Sequence, residues 1–312
     1  GGYIGLQNGE VLYVDDKPNA PPSLTTPSGY LYFVFYDASR EGLWLGKNSG
    51  FFKLQSNELR IYRYFSTSGE KLGSSISRFA HLSKNGHTLW GANSAGFGTF
   101  DLKQEKFTDL SLEYLPPKRI YAIHEAMDGT VWIGGQGGLQ RWKNKELQEP
   151  KPSLPLLKEY VSQIEQLPDS TLVLGYMGAG IGFWKDSSVV QLTVADGLTF
   201  NQIGKLYVDD QGVVWAATVQ GLNRITIVSD STFEIKRYTT ADGLPSNVVH
   251  DVKINKDFIW IATGEGLVKM PRVATKQTNA IPVIESIKVD GTAQNTTADG
   301  KFGYQQNNIS LT

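Results

Sequence analysis

The chain has 312 residues, with 30 basic and 31 acidic side chains and a formal net charge of −1. Lys and Arg are scattered along it, so no basic face can neutralise a phosphate backbone, and nucleic acid is not an expected partner. Cysteine is absent, which excludes disulfides, thiolate nucleophiles and sulfur-ligated metals together, and no apolar run is long enough to cross a bilayer.

One phrase recurs along the chain. It reads EGLWLGKNSGFFKL at 41–54, DGTVWIGGQGGLQRW at 128–142, QGVVWAATVQGLNRI at 211–225 and DFIWIATGEGLVKM at 257–270. Aligned on the aromatic, the anchors are Tyr3, Trp44, Trp90, Trp132, Val173, Trp215 and Trp260, spaced by 41, 46, 42, 41, 42 and 45 residues. A repeat of this length made of short strands predicts β-propeller blades. The chain opens GGYIG inside a repeat and reads as a piece of a longer protein, with any targeting or membrane segment lying outside it.

Each copy predicts the same local structure. Two residues past the anchor stands a small residue: Gly5, Gly46, Ala92, Gly134, Gly175, Ala217 and Ala262. Alternate residues of a strand share a face, so a bulky and a small side chain sit side by side, as interdigitating sheets require. Six past the anchor comes Gly9, Gly50, Gly96, Gly138, Gly221 or Gly266, slipped to Gly180 in the Val173 copy. That glycine suits a tight turn with positive φ. The anchor strand (B) and the strand after the turn (C) thus form a hairpin. Alternating segments before the anchor, as at 120–125, 203–208 and 248–254, supply an inner strand (A). Segments after the hairpin, as at 59–65, 106–110, 189–194 and 233–239, supply an outer one (D). Two linkers of the form ADGL follow, at 195–198 and 241–244. The expectation is an all-β fold. It has a seven-bladed propeller of four-stranded antiparallel blades over 1–272, although the first copy starts at B and the last ends near C. After Pro271 a polar bridge leads to IPVIESIKVDG at 281–291 and a further strand in 301–312. Residues 281–312 are expected to open a second β-domain, truncated here.

The string D-x-x-G-x-[LV]-W-[IA]-[GA]-T-x-x-G-L-x-[RK], best carried by 128–141, 209–224 and 256–269, resembles the two-component-regulator propeller repeat. The linker TADGLPSN at 240–247 is similar to that family's inter-blade linker. IPVIESIKVDG followed by YQQNNISLT is similar to the start of the immunoglobulin-like domain, called Y-Y-Y, that follows such propellers. The resemblance implies the periplasmic sensor region of a bacterial inner-membrane protein. Its output module would be a histidine kinase, often hybrid, or a diguanylate cyclase. The resemblance also implies sensing of carbohydrate fragments, with the membrane reached only through segments outside this chain. Departures are Val173 in place of the aromatic anchor and the absence of Gly-Leu after the first turn.

Catalytic and metal chemistry find little support. The four histidines, His81, His87, His124 and His250, include no pair at metal-ligand spacing. Neither metal nor cofactor is expected. His124–Glu125 and His250–Asp251 read as matching His-acid pairs on inner strands. They offer a general base for a hydrolase, or for a lyase of the streptogramin-lyase type, or else they are polar groups lining a wet channel. The run at Asp210, Gly212 and Trp215 is similar to the Asp-box turn of sialidases, but the arginine cluster and Tyr/Glu pair of that chemistry cannot be assembled. A structural turn explains it. Five of the seven tryptophans are anchors and read as packing residues, with no catalytic residue assigned.

In a four-stranded blade the B–C turns and D–A linkers emerge on one face. The residues varying there are Asn8, Asn48, Asn93, Gln136, Tyr176, Gln220 and Glu265 on the turns, and Arg78, Arg119, Asn201 and Asn247 on the linkers. Amides, an aromatic and a few charges suit a hydroxyl-rich ligand. The candidate ligand set is Asn48, Asn93, Arg119, Gln136, Tyr176, Asn201, Gln220, Asn247 and Glu265. The expected function is sensing of a small polar ligand such as an oligosaccharide, without catalysis in this segment, coupled through a homodimer to an output module. The alternatives are a protein-interaction scaffold and a propeller lyase or glycoside-active enzyme.

Overall fold

The computed structural model describes residues 2–5, 11–14, 31–37, 42–47, 50–55, 58–62, 79–92, 97–110, 119–143, 146–272, 287–289, 292–294 and 309–311. A hairpin of β1 (Gly2–Gly5) and β2 (Val11–Val14) comes first. Blade 1 is β3 (Leu31–Asp37), β4 (Gly42–Lys47), β5 (Gly50–Gln55) and β6 (Glu58–Tyr62). Blade 2 is β7 (Phe79–Leu82), β8 (Thr88–Ala92), β9 (Phe97–Asp101) and β10 (Lys106–Asp109). Blade 3 is β11 (Ile120–Glu125), β12 (Val131–Gly135), β13 (Gly138–Lys143) and β14 (Glu146–Gln148). Blade 4 is β15 (Val161–Gln166), β16 (Leu172–Tyr176), β17 (Ile181–Lys185) and β18 (Ser188–Leu192). Blade 5 is β19 (Lys205–Val208), β20 (Val214–Thr218), β21 (Gly221–Ser229) and β22 (Thr232–Tyr238). A sheet of β23 (Val249–Ile254), β24 (Phe258–Thr263) and β25 (Gly266–Pro271) follows.

The fold is an all-β propeller, and the blade count is corrected from seven to five. Among the described residues five sheets carry four strands each, while the first sheet has two and the one built on Trp260 has three. The physical reason is that the anchor marks only the B–C hairpin. A blade also needs its inner and outer strands, and among the described residues the two terminal copies do not supply both. The tail holds β26 (Ile287–Val289), β27 (Thr292–Gln294) and β28 (Ile309–Leu311), a small antiparallel sheet in the order β27-β26-β28. Three strands of three residues do not show the expected opening of an immunoglobulin-like domain over 281–312, and the rest of that segment lies outside the described residues. The tail falls in a second compact unit, 255–258 with 270–312, apart from the propeller unit of 1–254 with 259–269.

Every described blade is an up-and-down antiparallel sheet. Register sets each anchor opposite a residue of the inner strand: Phe35↔Trp44, His81↔Trp90, His124↔Trp132, Glu165↔Val173, Tyr207↔Trp215 and Lys253↔Trp260. On the other side the anchor meets strand C, and there a cation often lies over the indole. Lys53 is 5.2 Å from the Trp44 ring centre, Arg224 5.8 Å from Trp215 and Lys269 5.0 Å from Trp260, a geometry favoured by the ring quadrupole.

Blades interlock in series: the anchor face of one packs on the opposite face of the next. Trp44 of blade 1 meets Leu89, Phe100 and Leu102 of blade 2. Ala92 and Phe97 of blade 2 meet Ile123, Ile133 and Trp142 of blade 3. Ala122 and Leu139 of blade 3 meet Val161, Ile164 and Trp184 of blade 4. Val173 and Phe183 of blade 4 meet Leu206, Val214 and Ile225 of blade 5. An aromatic pair crosses each junction: Trp44–Phe100 at 5.2 Å, Phe97–Trp142 at 5.3 Å, Trp132–Trp184 at 5.1 Å and Phe183–Phe233 at 4.6 Å. A partly buried ion pair, Lys53 Nζ to Glu105 Oε1 at 2.7 Å, adds to the first.

In blades 3 and 4 the small residue past the anchor is explained by the next blade. A Cβ on Gly134 would stand 2.6 Å from Val161 Cγ1, and one on Gly175 would stand 2.9 Å from Ile203 Cγ2. The turn glycine has a double constraint. Gly138 and Gly221 hold φ at 88° and 132°, and a Cβ there would strike Leu157 O at 2.4 Å and Tyr238 O at 2.7 Å.

Polar groups fix the turns. At the A–B turns a side-chain oxygen accepts backbone N–H groups from just ahead. Asn85 serves His87 and Thr88, Asp128 serves Thr130, Asp169 serves Thr171 and Asn255 serves Asp257 and Phe258. Asp209 goes further. Its Oδ1 accepts from the N–H of Gln211 and Val213, and its Oδ2 accepts from the Trp215 indole N–H at 3.2 Å. The Asp-box-like run is therefore a turn clamped to its own anchor. Asp209→Ala strands the Val213 N–H and the Trp215 indole N–H in the core, and the expected loss is about 1–3 kcal/mol in urea unfolding. Gly134→Ala forces a methyl into Val161 and is expected to cost about 1–3 kcal/mol by overpacking, read as a lower unfolding midpoint with unchanged slope.

Candidate functional site

Two regions gather polar side chains: the face of the B–C turns and D–A linkers, and the inner strands around the axis. In the first, hydrogen bonds join turn to linker at blade 3, blade 4 and the sheet of β23–β25. Gln136 N–H donates to Arg119 O at 3.1 Å, Met177 N–H to Tyr160 O at 3.1 Å, Gly180 N–H to Asn201 O at 2.8 Å and Gly264 N–H to Val248 O at 2.8 Å.

The nine sequence-derived residues fare differently. Arg119, Gln136, Gln220 and Glu265 are exposed on that face. Asn201 and Asn247 are there too, but their amides have structural work. Asn201 Oδ1 accepts from Val194 N–H at 2.8 Å, and Asn247 Oδ1 from Thr240 N–H at 2.7 Å. Each closes an ADGL linker onto itself. In those linkers Asp196 and Asp242 accept from the N–H and Oγ1–H of Thr193 and Thr239. Gly197 and Gly243 take the left-handed conformation at φ 111° and 97°, and Leu198 and Leu244 plug the core. Tyr176 is wholly enclosed in the cluster between blades 3 and 4, so its ring is not offered to a ligand. The cause is strand phase: in the Val173 copy the glycine slips to Gly180, and Tyr176 stays within β16. Asn48 and Asn93 lie outside the described residues.

Sequence reasoning missed two residues on this face. Tyr121 and Tyr160 bring their rings to 4.9 Å, tilted by 53°. Tyr121 occupies a β-bulge at the start of β11, between Ile120 and Ala122. The same irregularity recurs at Leu31/Phe33, Val161/Gln163 and Val249/Asp251. Strict alternation hides such a residue, because a bulge inserts one position that faces neither neighbour. Arg119, exposed on this face, lies two residues before Tyr121 in the chain.

Around the axis the register corrects a second expectation. His124 stands opposite Trp132, whereas His250 is the bulged residue of β23 and matches Tyr121. His124 and His250 are thus not equivalent, and His250 is exposed. The true counterpart of His124 is His81, opposite Trp90. Their rings lie 5.2 Å apart, and Glu125 N–H donates to His81 Nε2 at 3.4 Å. Burial holds His81 down to about 4 despite the Glu125 carboxylate, and burial with the neighbouring His81 and Lys84 holds His124 down to about 3. Lys205 of blade 5 also acts on His81 of blade 2, so the inner strands converge on a common axis. Both imidazoles are neutral at pH 7. Among the described residues no group of three His, Asp or Glu side chains can hold a metal ion, and no helix is long and apolar enough to cross a membrane.

The two histidines set an acid limit. In the unfolded chain both return to an ordinary value near 6.5. Between there and the folded values the unfolded state binds more protons, so stability falls as pH drops through that window and levels off below it. Chemical unfolding between pH 7 and pH 3 is expected to show this slope, and His81→Gln with His124→Gln to flatten it.

The comparisons with known proteins come from sequence and from fold. A family model described as the two-component regulator propeller matches residues 114–137. No curated protein matches the chain in sequence. Among solved structures, the chain is similar to the extracellular domain of a protein described as a hybrid two-component system from B. thetaiotaomicron. The TM-score is 0.65 at 18% identity, over 85% of this chain and 37% of that one. It is also similar to the extracellular domain of one described as a one-component system from the same organism. There the TM-score is 0.60 at 15% identity, over 88% and 38%. Virginiamycin B lyase from Staphylococcus aureus gives a TM-score of 0.63 at 15% identity, over 87% and 94%. At these identities the shared property is the propeller fold, and the chain spans well under half the length of the two sensor chains it resembles.

Proposed function

We propose that this segment is an extracytoplasmic, non-catalytic ligand-sensing domain of a membrane-embedded signalling protein of the two-component type. It binds a small polar ligand, such as an oligosaccharide, on the face of the B–C turns and D–A linkers. The observation that carries the reading is the Tyr121–Tyr160 ring pair at the linker-and-turn end of blades 3 and 4, where the Arg119 and Tyr160 carbonyls accept from the turn N–H groups of Gln136 and Met177. The match at 114–137 falls on the same turn-and-linker segment, and the sensor extracellular domains share the fold. Ligand binding shifts the relation between propeller and downstream segments, within a homodimer, and biases a kinase or cyclase output. Non-catalysis is favoured because His124 and His250 occupy different register positions, and the His81 and His124 imidazoles, held down to about 4 and about 3, are weak general bases.

A second reading, protein docking, draws on apolar side chains exposed on the same face: Met177, Val194, Val219 and Leu267. Titration calorimetry against a panel of oligosaccharides separates the two. The sensing reading expects a saccharide to bind, and expects Arg119→Ala with Tyr121→Ala to weaken it by about tenfold or more, as loss of a central aromatic or Arg contact does. Binding that is absent across the panel, or unchanged in that variant, overturns it.

A further inference from the structure

We infer that Glu165, Lys205, Asp251 and Lys253 form an axial binding site for a small zwitterion, a molecule with a carboxylate and an ammonium a few bonds apart, such as a free α-amino acid. The four come from three successive inner strands, β15, β19 and β23. Register places them in two tiers on one face direction. Glu165 and Lys253 oppose the anchors Val173 and Trp260, and Lys205 and Asp251 oppose the small residues Ala217 and Ala262. Two residues of strand separate the tiers by about 7 Å, a span that suits a small molecule.

The charges alternate around this arc and sum to zero, yet they do not satisfy one another. Glu165 and Lys253 feel each other and the charges of Lys205 and Asp251, but among the described residues none of the four is in a salt bridge. Asp251 accepts only from Val252 N–H at 2.8 Å, and Lys253 lies 4.7 Å from the Tyr207 ring. Tyr207 in turn is held by its hydroxyl, which donates to Ile254 O at 3.2 Å, so the wall is fixed. Glu165 is largely enclosed, and burial pushes its carboxyl up. Water still reaches Lys253, but the surrounding strands crowd its ammonium and push it down. The Glu165 carboxylate therefore gains from a partner of opposite sign where water screens poorly, and the Lys253 ammonium gains less because water reaches it. A zwitterion offers an ammonium to Glu165 and Asp251 and a carboxylate to Lys205 and Lys253. A simple anion leaves the two carboxylates uncompensated, and a neutral sugar compensates neither pair. Packing alone does not account for the set, since the same register positions in other blades take Phe33, Ala122 and Gln163.

The site is separate from the turn-and-linker face, and the test keeps the two apart. Calorimetry on the whole chain would use glycine, L-alanine, L-leucine and L-glutamate, with acetate, propylamine and glucose as controls. At least one amino acid is expected to bind with Kd below about 1 mM. Glu165→Gln and Lys253→Met are each expected to weaken it by about tenfold or more while leaving oligosaccharide binding unchanged. The idea is overturned if none of the amino acids binds the unaltered protein, if acetate or propylamine binds as well as they do, or if both folded variants keep full affinity.

Discussion

Serial contact between blades governs this molecule. Each blade presents a large anchor and a small neighbour on one face, and the next blade answers with its own apolar face. Trp44 against Phe100 and Trp132 against Trp184 leave no room for a second large group beside them, which is why Gly134 lies so close to Val161. Close packing makes these junctions intolerant of even one extra methyl. The interlock fixes the angle between blades, and that angle brings the inner strands together.

What happens at the axis follows from the outer packing. With the anchors carrying the stability, the residue opposite each anchor on the inner strand need not be apolar. Blade by blade it is Phe35, His81, His124, Glu165, Tyr207 and Lys253. Enclosure without full pairing gives these groups their altered acid–base behaviour: the paired imidazoles stay neutral, and Glu165 and Lys253 are each pushed toward their uncharged forms. Variation at a position that the scaffold does not need for packing is how a propeller acquires specificity, on the axis as on its loop face.

The loop face shows the opposite economy. Residues that look free in sequence are partly used up by the scaffold. Asn201 and Asn247 close the linkers that carry them, and Tyr176 is absorbed into the core. What remains open is Arg119, Gln136, Gln220 and Glu265, joined by a tyrosine pair that no repeat alignment highlights.

The sequence by itself determined the all-β class, the repeat, the B–C hairpin with its turn glycine, and the face on which turns and linkers emerge. These are local properties: a small residue two positions from an anchor, or a glycine with positive φ, is dictated by strand alternation and turn sterics within a dozen residues. The sequence also exposed the Asp-Gly-Leu linkers, whose capping, left-handed turn and core plug are equally local. Only the tertiary structure decided how many copies complete a four-stranded blade, because the inner and outer strands are recruited from flanks with weak patterns. It alone decided that His124 pairs with His81 and not with His250, since His250 is itself the bulged residue of β23 and Lys253 takes the register position of His124. And it alone gathered Glu165, Lys205, Asp251 and Lys253, spread over 89 positions of sequence, around one axis, because convergence there depends on the angle set by blade packing, which no single repeat encodes.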